Sequence, residues 1–336
     1  MKKTWLFSSL LLASTVLSAA QTTEAPAYDA DLFKRDASVF SFHACFLFWR
    51  VQEGALDYAL KMQQPSPAGS VFAQGRFHSA TFDGEPGFRI AASYFRAPKY
   101  WEIWGQYTRL TARGENSVDA PLPADKFLTG TWPSTSTSAL SNARSSIHMN
   151  YNVADLLVDR FFNPNPHLRM RLLGGGTAAW MDQDWSIHYT NIVNETTQIR
   201  NRWKFVGGGF RVGTIVDWFW GYDIYLTATA TCASLIGVYH NQAHQTFSTL
   251  ALPVRDTHFS DVRPAFTVQA IFGPSWQKSF CSTRVEIFAG YELNSWFNIA
   301  EFYRSTTATS TASKETWMNT GMIALQGLNA RATLDF

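Results

Sequence analysis

The chain has 336 residues, 15% aromatic and only 16% charged, with a formal net charge of +2 at pH 7. Soluble domains average about 25% charged residues, and so small a net charge argues against binding nucleic acid through a basic surface. The length could hold two soluble domains, but no linker separates two cores, and one domain is expected.

The amino end reads as a secretory signal peptide over residues 1–20. Met1-Lys2-Lys3 is its basic region, Trp5 to Leu17 its apolar stretch, and Ser18-Ala19-Ala20 its cleavage site, with cleavage expected after Ala20. The apolar stretch is shorter than the ~20 residues a helix needs to span a bilayer. Residues 21–37 read as a periplasmic linker and 38–336 as the folded domain. No later apolar run is long enough for a membrane helix, so a membrane location requires a closed barrel without open strand edges.

From Phe40 onward the chain alternates with period 2, apolar on one face and polar on the other. Phe40, Phe42, Ala44, Phe46 and Phe48 form the first apolar face. Phe88, Ile90, Ala92 and Tyr94 form the second; Trp101, Ile103, Gly105 and Tyr107 the third; Ile147, Met149, Tyr151 and Val153 the fourth. The pattern recurs from Leu168 to Trp180, Val206 to Val216, Ile224 to Ala230, Phe266 to Phe272 and Val285 to Leu293. Ser70 to Thr81 could add a strand paired with another inside a loop. The chain closes on Leu328, Ala330, Ala332, Leu334 and Phe336, alternating with Asn329, Arg331, Thr333 and Asp335.

About ten strands of membrane-spanning length result, twelve if loop strands are added. Connections alternate: short around Pro98, Asn163 to Pro166, Trp218 to Gly221 and Pro274 to Thr283; long after Arg50, from Gly130 to Ser146, Asp182 to Arg200, Gly237 to Asp261 and Ser295 to Lys314. Short periplasmic turns and long external loops are the rhythm of a transmembrane antiparallel up-and-down β-barrel, and this all-β class is the fold expected. The terminal strand should pair with the Phe40–Phe48 strand. The triplets Gly174-Gly175-Gly176 and Gly207-Gly208-Gly209 fall inside strands. No Gly-Lys-Ser/Thr follows them, so they mark curvature or packing beneath a large side chain rather than a phosphate loop.

Several segments, in order, resemble a known family. Glu85-Pro86-Gly87-Phe88-Arg89, Trp101 to Thr108, Asn150 to Asp155, Leu168 to Gln183 and Leu325-Gln326-Gly327-Leu328 are similar to the major-outer-membrane-protein-like pore-forming family of Chlamydia-related bacteria and Legionella. The resemblance implies an outer-membrane porin of a Gram-negative bacterium. Terminal strands ending in Phe resemble the signal that outer-membrane barrels present to their assembly machinery, which assigns that role to Phe336 and Leu334. Expected partners are outer-membrane lipid and that machinery, with no nucleic acid.

If the apolar face meets lipid, the residues pointing inward are Arg89, Glu102, Gln106, His148, Asn150, Asn152, Arg169, Arg171, Arg211, Arg263, Gln269, Arg284, Glu286, Glu292 and Arg331. Arg109 is an exception by phase, tolerable only if it lies at an interface. Two readings of this interior stay open. It lines an aqueous diffusion channel for small hydrophilic solutes, anion-leaning because arginines outnumber acids. Or the same groups pair and plug a narrow barrel, whose loops then act in adhesion or as an envelope element. The resemblance favours the pore.

An outer-membrane hydrolase is the weakest of the readings, and catalysis is not expected. There is no Gly-x-Ser-x-Gly; Asp182 and Asp184 resemble barrel-protease acids only by position and read as solvated. His240-x-x-x-His244 reads as loop rather than a metal site, and neither metal nor cofactor is expected. Cys45, Cys232 and Cys281 are an odd set in an exported chain. They read as inert small hydrophobes or, more sharply, as a source of a homo-oligomer cross-linked through Cys281.

Overall fold

The computed structural model describes residues 38–62, 75–96, 100–121, 127–132, 139–165, 167–280, 283–305 and 316–336. The segments expected as signal peptide and linker, and Cys281, lie outside them.

The described chain is entirely β. In order the strands are β1 (Ser38–Glu53), β2 (Asp57–Met62), β3 (Gly75–Ser79), β4 (Gly84–Arg96), β5 (Trp101–Asp119), β6 (Leu128–Gly130), β7 (Leu140–Asn165), β8 (Leu168–Asn191), β9 (Thr196–Gly221), β10 (Ile224–Phe247), β11 (Arg255–Phe280), β12 (Thr283–Ser305) and β13 (Thr316–Asp335). Ten of them form a ring, β1-β4-β5-β7-β8-β9-β10-β11-β12-β13, each antiparallel to its neighbours. The expected closure is found: Phe42 lies opposite Leu334 and Phe46 opposite Ala330. Phe40 and Phe336 exchange two backbone hydrogen bonds of 2.9 Å.

β2, β3 and β6 sit in the first two long connections, where β2 pairs with β3 and β6. β3 realises the loop strand anticipated within Ser70–Thr81. At the opposite end the connections are tight. Tyr222 and Asp223 both have positive φ, 53° and 63°, the geometry of a two-residue hairpin turn whose twist matches its flanking strands.

The strands are far longer than a bilayer needs. β7, β9 and β11 each have 26 residues. At ~3.3 Å per residue and ~45° tilt such a strand stands about 60 Å tall, twice the ~30 Å hydrocarbon core. Two segments expected as long loops, Asp182 to Arg200 and Gly237 to Asp261, are therefore mostly strand. Only 192–195 connects β8 to β9 and 248–254 connects β10 to β11.

The extra height divides the barrel into two tiers. Toward the tight-turn end the outer face is apolar: Phe40 to Phe48 on β1, Phe210 and Val212 on β9, Phe266 to Phe272 on β11, Leu328 and Leu334 on β13 are all exposed. Beyond this belt the code reverses. Outward positions become Arg113, Arg144, Asp184, Arg200 and Arg202, while inward ones become Trp49, Trp185, Ile187, Trp203, Leu235, Trp296 and Ile323, each no more than 1% exposed. The upper tier is thus built like a water-soluble barrel with a packed core. Leu56, Tyr58, Phe82, Leu128 and Trp132 from the first two connections join that core, and Trp132 meets Trp185 edge to face at 5.5 Å.

One glycine triplet explains itself here. Gly207 and Gly237 face each other across β9 and β10, and a Cβ on Gly207 would lie 2.6 Å from the Phe205 ring. The ring lies across the space that only glycine leaves free.

Candidate functional site

The interior of the lower tier holds the polar groups. Twelve of the fifteen residues expected inside do point inward: Arg89, Glu102, Gln106, Arg169, Arg171, Arg211, Arg263, Gln269, Arg284, Glu286, Glu292 and Arg331 share the inward parity of their strands. The other three are corrected. His148, Asn150 and Asn152 on β7 face outward, while Ile147, Met149, Tyr151 and Val153 point inward and are buried. That stretch of β7 lies in and just below the upper tier, where the core is apolar and the exterior polar, so the lipid-facing rule assigned its faces backwards. The same error hid Asp155 and Asp159, which share the inward face and are buried.

Asp155 matters because every predicted interior arginine is ion-paired. Glu292, fully buried, accepts from Arg89 through two bonds of 2.7 and 3.1 Å, from Asn329 at 2.6 Å and from Gln269. Asp155 accepts from Arg211 at 2.9 Å and Gln106 at 2.7 Å. Asp217 accepts from Arg169 at 2.9 Å and from the Thr227 hydroxyl at 2.8 Å. Arg171 lies 3.7 Å from Glu102, Arg331 2.6 Å from Glu286 and Arg284 2.6 Å from Asp335. Arg263, higher up, is held between Asp261 and Glu301. Neutralisation of this kind is what a low-dielectric interior demands, since an unpaired buried charge is costly. The arginine excess read from the sequence is therefore not found inside. Asp335 was visible as an inward-facing neighbour of Arg331; Asp155, Asp159 and Glu301 were missed.

Below the Glu292 node the barrel holds a cavity lined by Ser41, His43, Cys45, Glu102, Arg171, Thr229 and Arg331, among others. Above it, Arg89 lies 5.7 Å from the Trp49 ring. Trp49, Tyr151 and Trp296 then meet edge to face in sequence, at 6.2 and 6.1 Å. All three rings are no more than 2% exposed. Side chains around a continuous channel would touch water; this layer is dry.

The remaining candidates disperse. Asp182 and Asp184 point outward from β8, Asp182 accepting from Asn150 and Asp184 ion-paired to Arg200. His240 and His244 lie on the outer face of β10, four residues apart along a strand, about 13 Å, too far to share one ion. Among the described residues no group of three or more His, Cys, Asp or Glu could hold a metal. Cys45 is buried inside and Cys232 exposed on the outer face, and both are free thiols.

Among solved structures the chain is similar to the outer membrane protease OmpT of Escherichia coli, at 10% identity over 92% of this chain and 99% of that one, with a TM-score of 0.44. A FadL homologue of Pseudomonas aeruginosa aligns at 6% identity over 90% of each chain, TM-score 0.27. The Pseudomonas putida toluene transporter TodX aligns at 8% identity over 89% of this chain and 90% of that one, TM-score 0.22. Such scores carry no argument about activity. No curated protein matches the chain. The family described as the Legionella pneumophila major outer membrane protein precursor matches residues 35–330. With that match across nearly all of a ten-stranded barrel belted in apolar side chains, the chain belongs to the Legionella major outer membrane protein family and is an outer-membrane β-barrel.

Proposed function

We propose that this barrel stands closed in the outer membrane and serves as a structural, surface-presenting envelope protein without catalysis, its tall upper tier exposed to the exterior. The observation that carries this reading is the dry layer of Trp49, Tyr151 and Trp296 on the Arg89–Glu292 node, with Trp185 and Trp203 packed above it. A hydrated solute would have to displace both a bidentate buried ion pair and a packed aromatic core. The balanced charge below that layer gives no reason for anion preference.

A second reading, a small-solute porin that opens by rearrangement, is favoured by one observation: the polar cavity already occupies the lower tier. Planar-bilayer recording separates the two. The closed barrel should give no stepwise conductance at moderate potentials. A reproducible unit conductance from purified, heat-modifiable protein would overturn it in favour of the porin. Unchanged peptide and ester hydrolysis backgrounds on comparing wild type with Asp182→Asn would agree with the absence of catalysis; a rate lost in the variant would contradict it.

A further inference from the structure

Arg109 is the cation that breaks the strand pattern, and it is indeed on the outside. It is exposed on β5, level in the register with Phe88 on one side and Asn152 on the other. Phe88, Tyr107 and Trp180 form a continuous aromatic patch there. Phe88 meets Tyr107 edge to face at 6.1 Å, and Tyr107 stacks on Trp180 at 5.8 Å and 18°. The Tyr107 hydroxyl donates to Asn152 Oδ1 at 2.8 Å. Phe88 and Trp180 remain 43% and 40% exposed. Lys204 lies one outward position above Val206, which pairs with Trp180. Among the described residues no ion pair holds Arg109 or Lys204, although Asp182 lies opposite Lys204 in the register. The interior arginines are ion-paired; these two cations, at the edge of the lipid belt, are not.

Aromatic rings at this height belong to the membrane interface. Ring faces suit the C–H faces of a sugar, while a guanidinium and an ammonium suit phosphate oxygens. A phospholipid headgroup would use the cations and leave the stacked platform idle. We propose that Arg109, Lys204, Tyr107, Trp180 and Asn152 form a binding site for the phosphorylated saccharide headgroup of an outer-leaflet glycolipid.

The test is native mass spectrometry of the full-length barrel in detergent, titrated with bisphosphorylated lipid A, its dephosphorylated form, and phosphatidylglycerol. Wild type should retain bisphosphorylated lipid A against an excess of phosphatidylglycerol and bind the dephosphorylated form weakly. Arg109→Ala with Lys204→Ala should weaken retention on the order of thirtyfold, two surface cations' worth of headgroup attraction. Trp180→Ala should weaken lipid A binding while sparing phosphatidylglycerol. Heat-modifiable migration checks folding, and Arg109→Gln alone serves if the double variant does not fold. Unchanged retention in the folded variant, or displacement of lipid A by equimolar phosphatidylglycerol, would overturn the site.

Discussion

The two tiers of this barrel are made from the same strands and obey opposite rules. Below, the exterior is apolar and the interior is a net of ion pairs; above, the exterior is charged and the interior is a core of tryptophan, tyrosine and aliphatic side chains. The backbone does not register the change. What differs is the solvent outside, hydrocarbon in one case and water in the other, and each tier hides from its own solvent what that solvent rejects. Strand alternation therefore fixes two faces but not which of them is inside.

The largest expected effect comes from the upper core. Trp203→Ala removes a fully buried ring stacked 6.1 Å from Tyr239 and should cost about 3–5 kcal/mol in denaturant unfolding, as large-to-small core changes do. An effect below ~1 kcal/mol would deny that the upper tier is packed like a soluble core.

In the lower tier, Glu292→Ala strands Arg89 without its partner and should cost a comparable ~3–5 kcal/mol. Replacing both, Glu292→Leu with Arg89→Met, should recover much of it, because a buried pair is weakly stabilising against an apolar substitute. Failure of the double variant to recover would mean that the polar node does more than satisfy itself.

The border between tiers can be located by one substitution at two heights on the outer face. Val212→Arg, in the belt, should destabilise folding into bilayers by about 2–4 kcal/mol, and His148→Arg, above it, by less than ~0.5 kcal/mol. Equal costs would remove the distinction between the two exteriors.

The smallest effect depends on pH. Glu53, at the outer end of β1 beyond the belt, has carboxylate oxygens shut off from solvent without hydrogen-bond partners. Burial pushes its carboxyl up to about 8. Its folded value is thus above its ordinary 4.5, so the fold favours the protonated acid, and stability falls as pH rises from about 4.5 toward 8. Glu53→Gln should match wild type near pH 4 and exceed it by roughly 1–3 kcal/mol at pH 8–9, read as the urea midpoint. A constant difference across that range would place Glu53 in water.

Most of the fold was legible. Phe40 to Phe48 and Leu328 to Phe336 announced lipid-facing strands and their mutual pairing, because each lies wholly within the belt. β7 was legible in class but not in face. In Val153-Ala154-Asp155-Leu156-Leu157-Val158 the apolar residues change phase, and that slip marks the passage from water to hydrocarbon. Read as a break in one pattern it is noise; read as a boundary it would have turned His148, Asn150 and Asn152 outward and found Asp155 and Asp159. The pairings of Arg89 with Glu292 and Arg211 with Asp155 join residues 203 and 56 positions apart, and no local pattern carries such distances.

The seam between β1 and β13 has a consequence for how such a molecule is completed. Its bonds join residues 41–53 to 323–335, so the first strand waits for the last. Until Phe336 arrives and exchanges its two bonds with Phe40, both edges stay unpaired. Anything that grips the open edge of the final strand competes for the same amides and carbonyls that β1 will occupy. Sealing the cylinder and displacing any such grip would then be a single event, one that leaves the terminal aromatic tucked against Phe42.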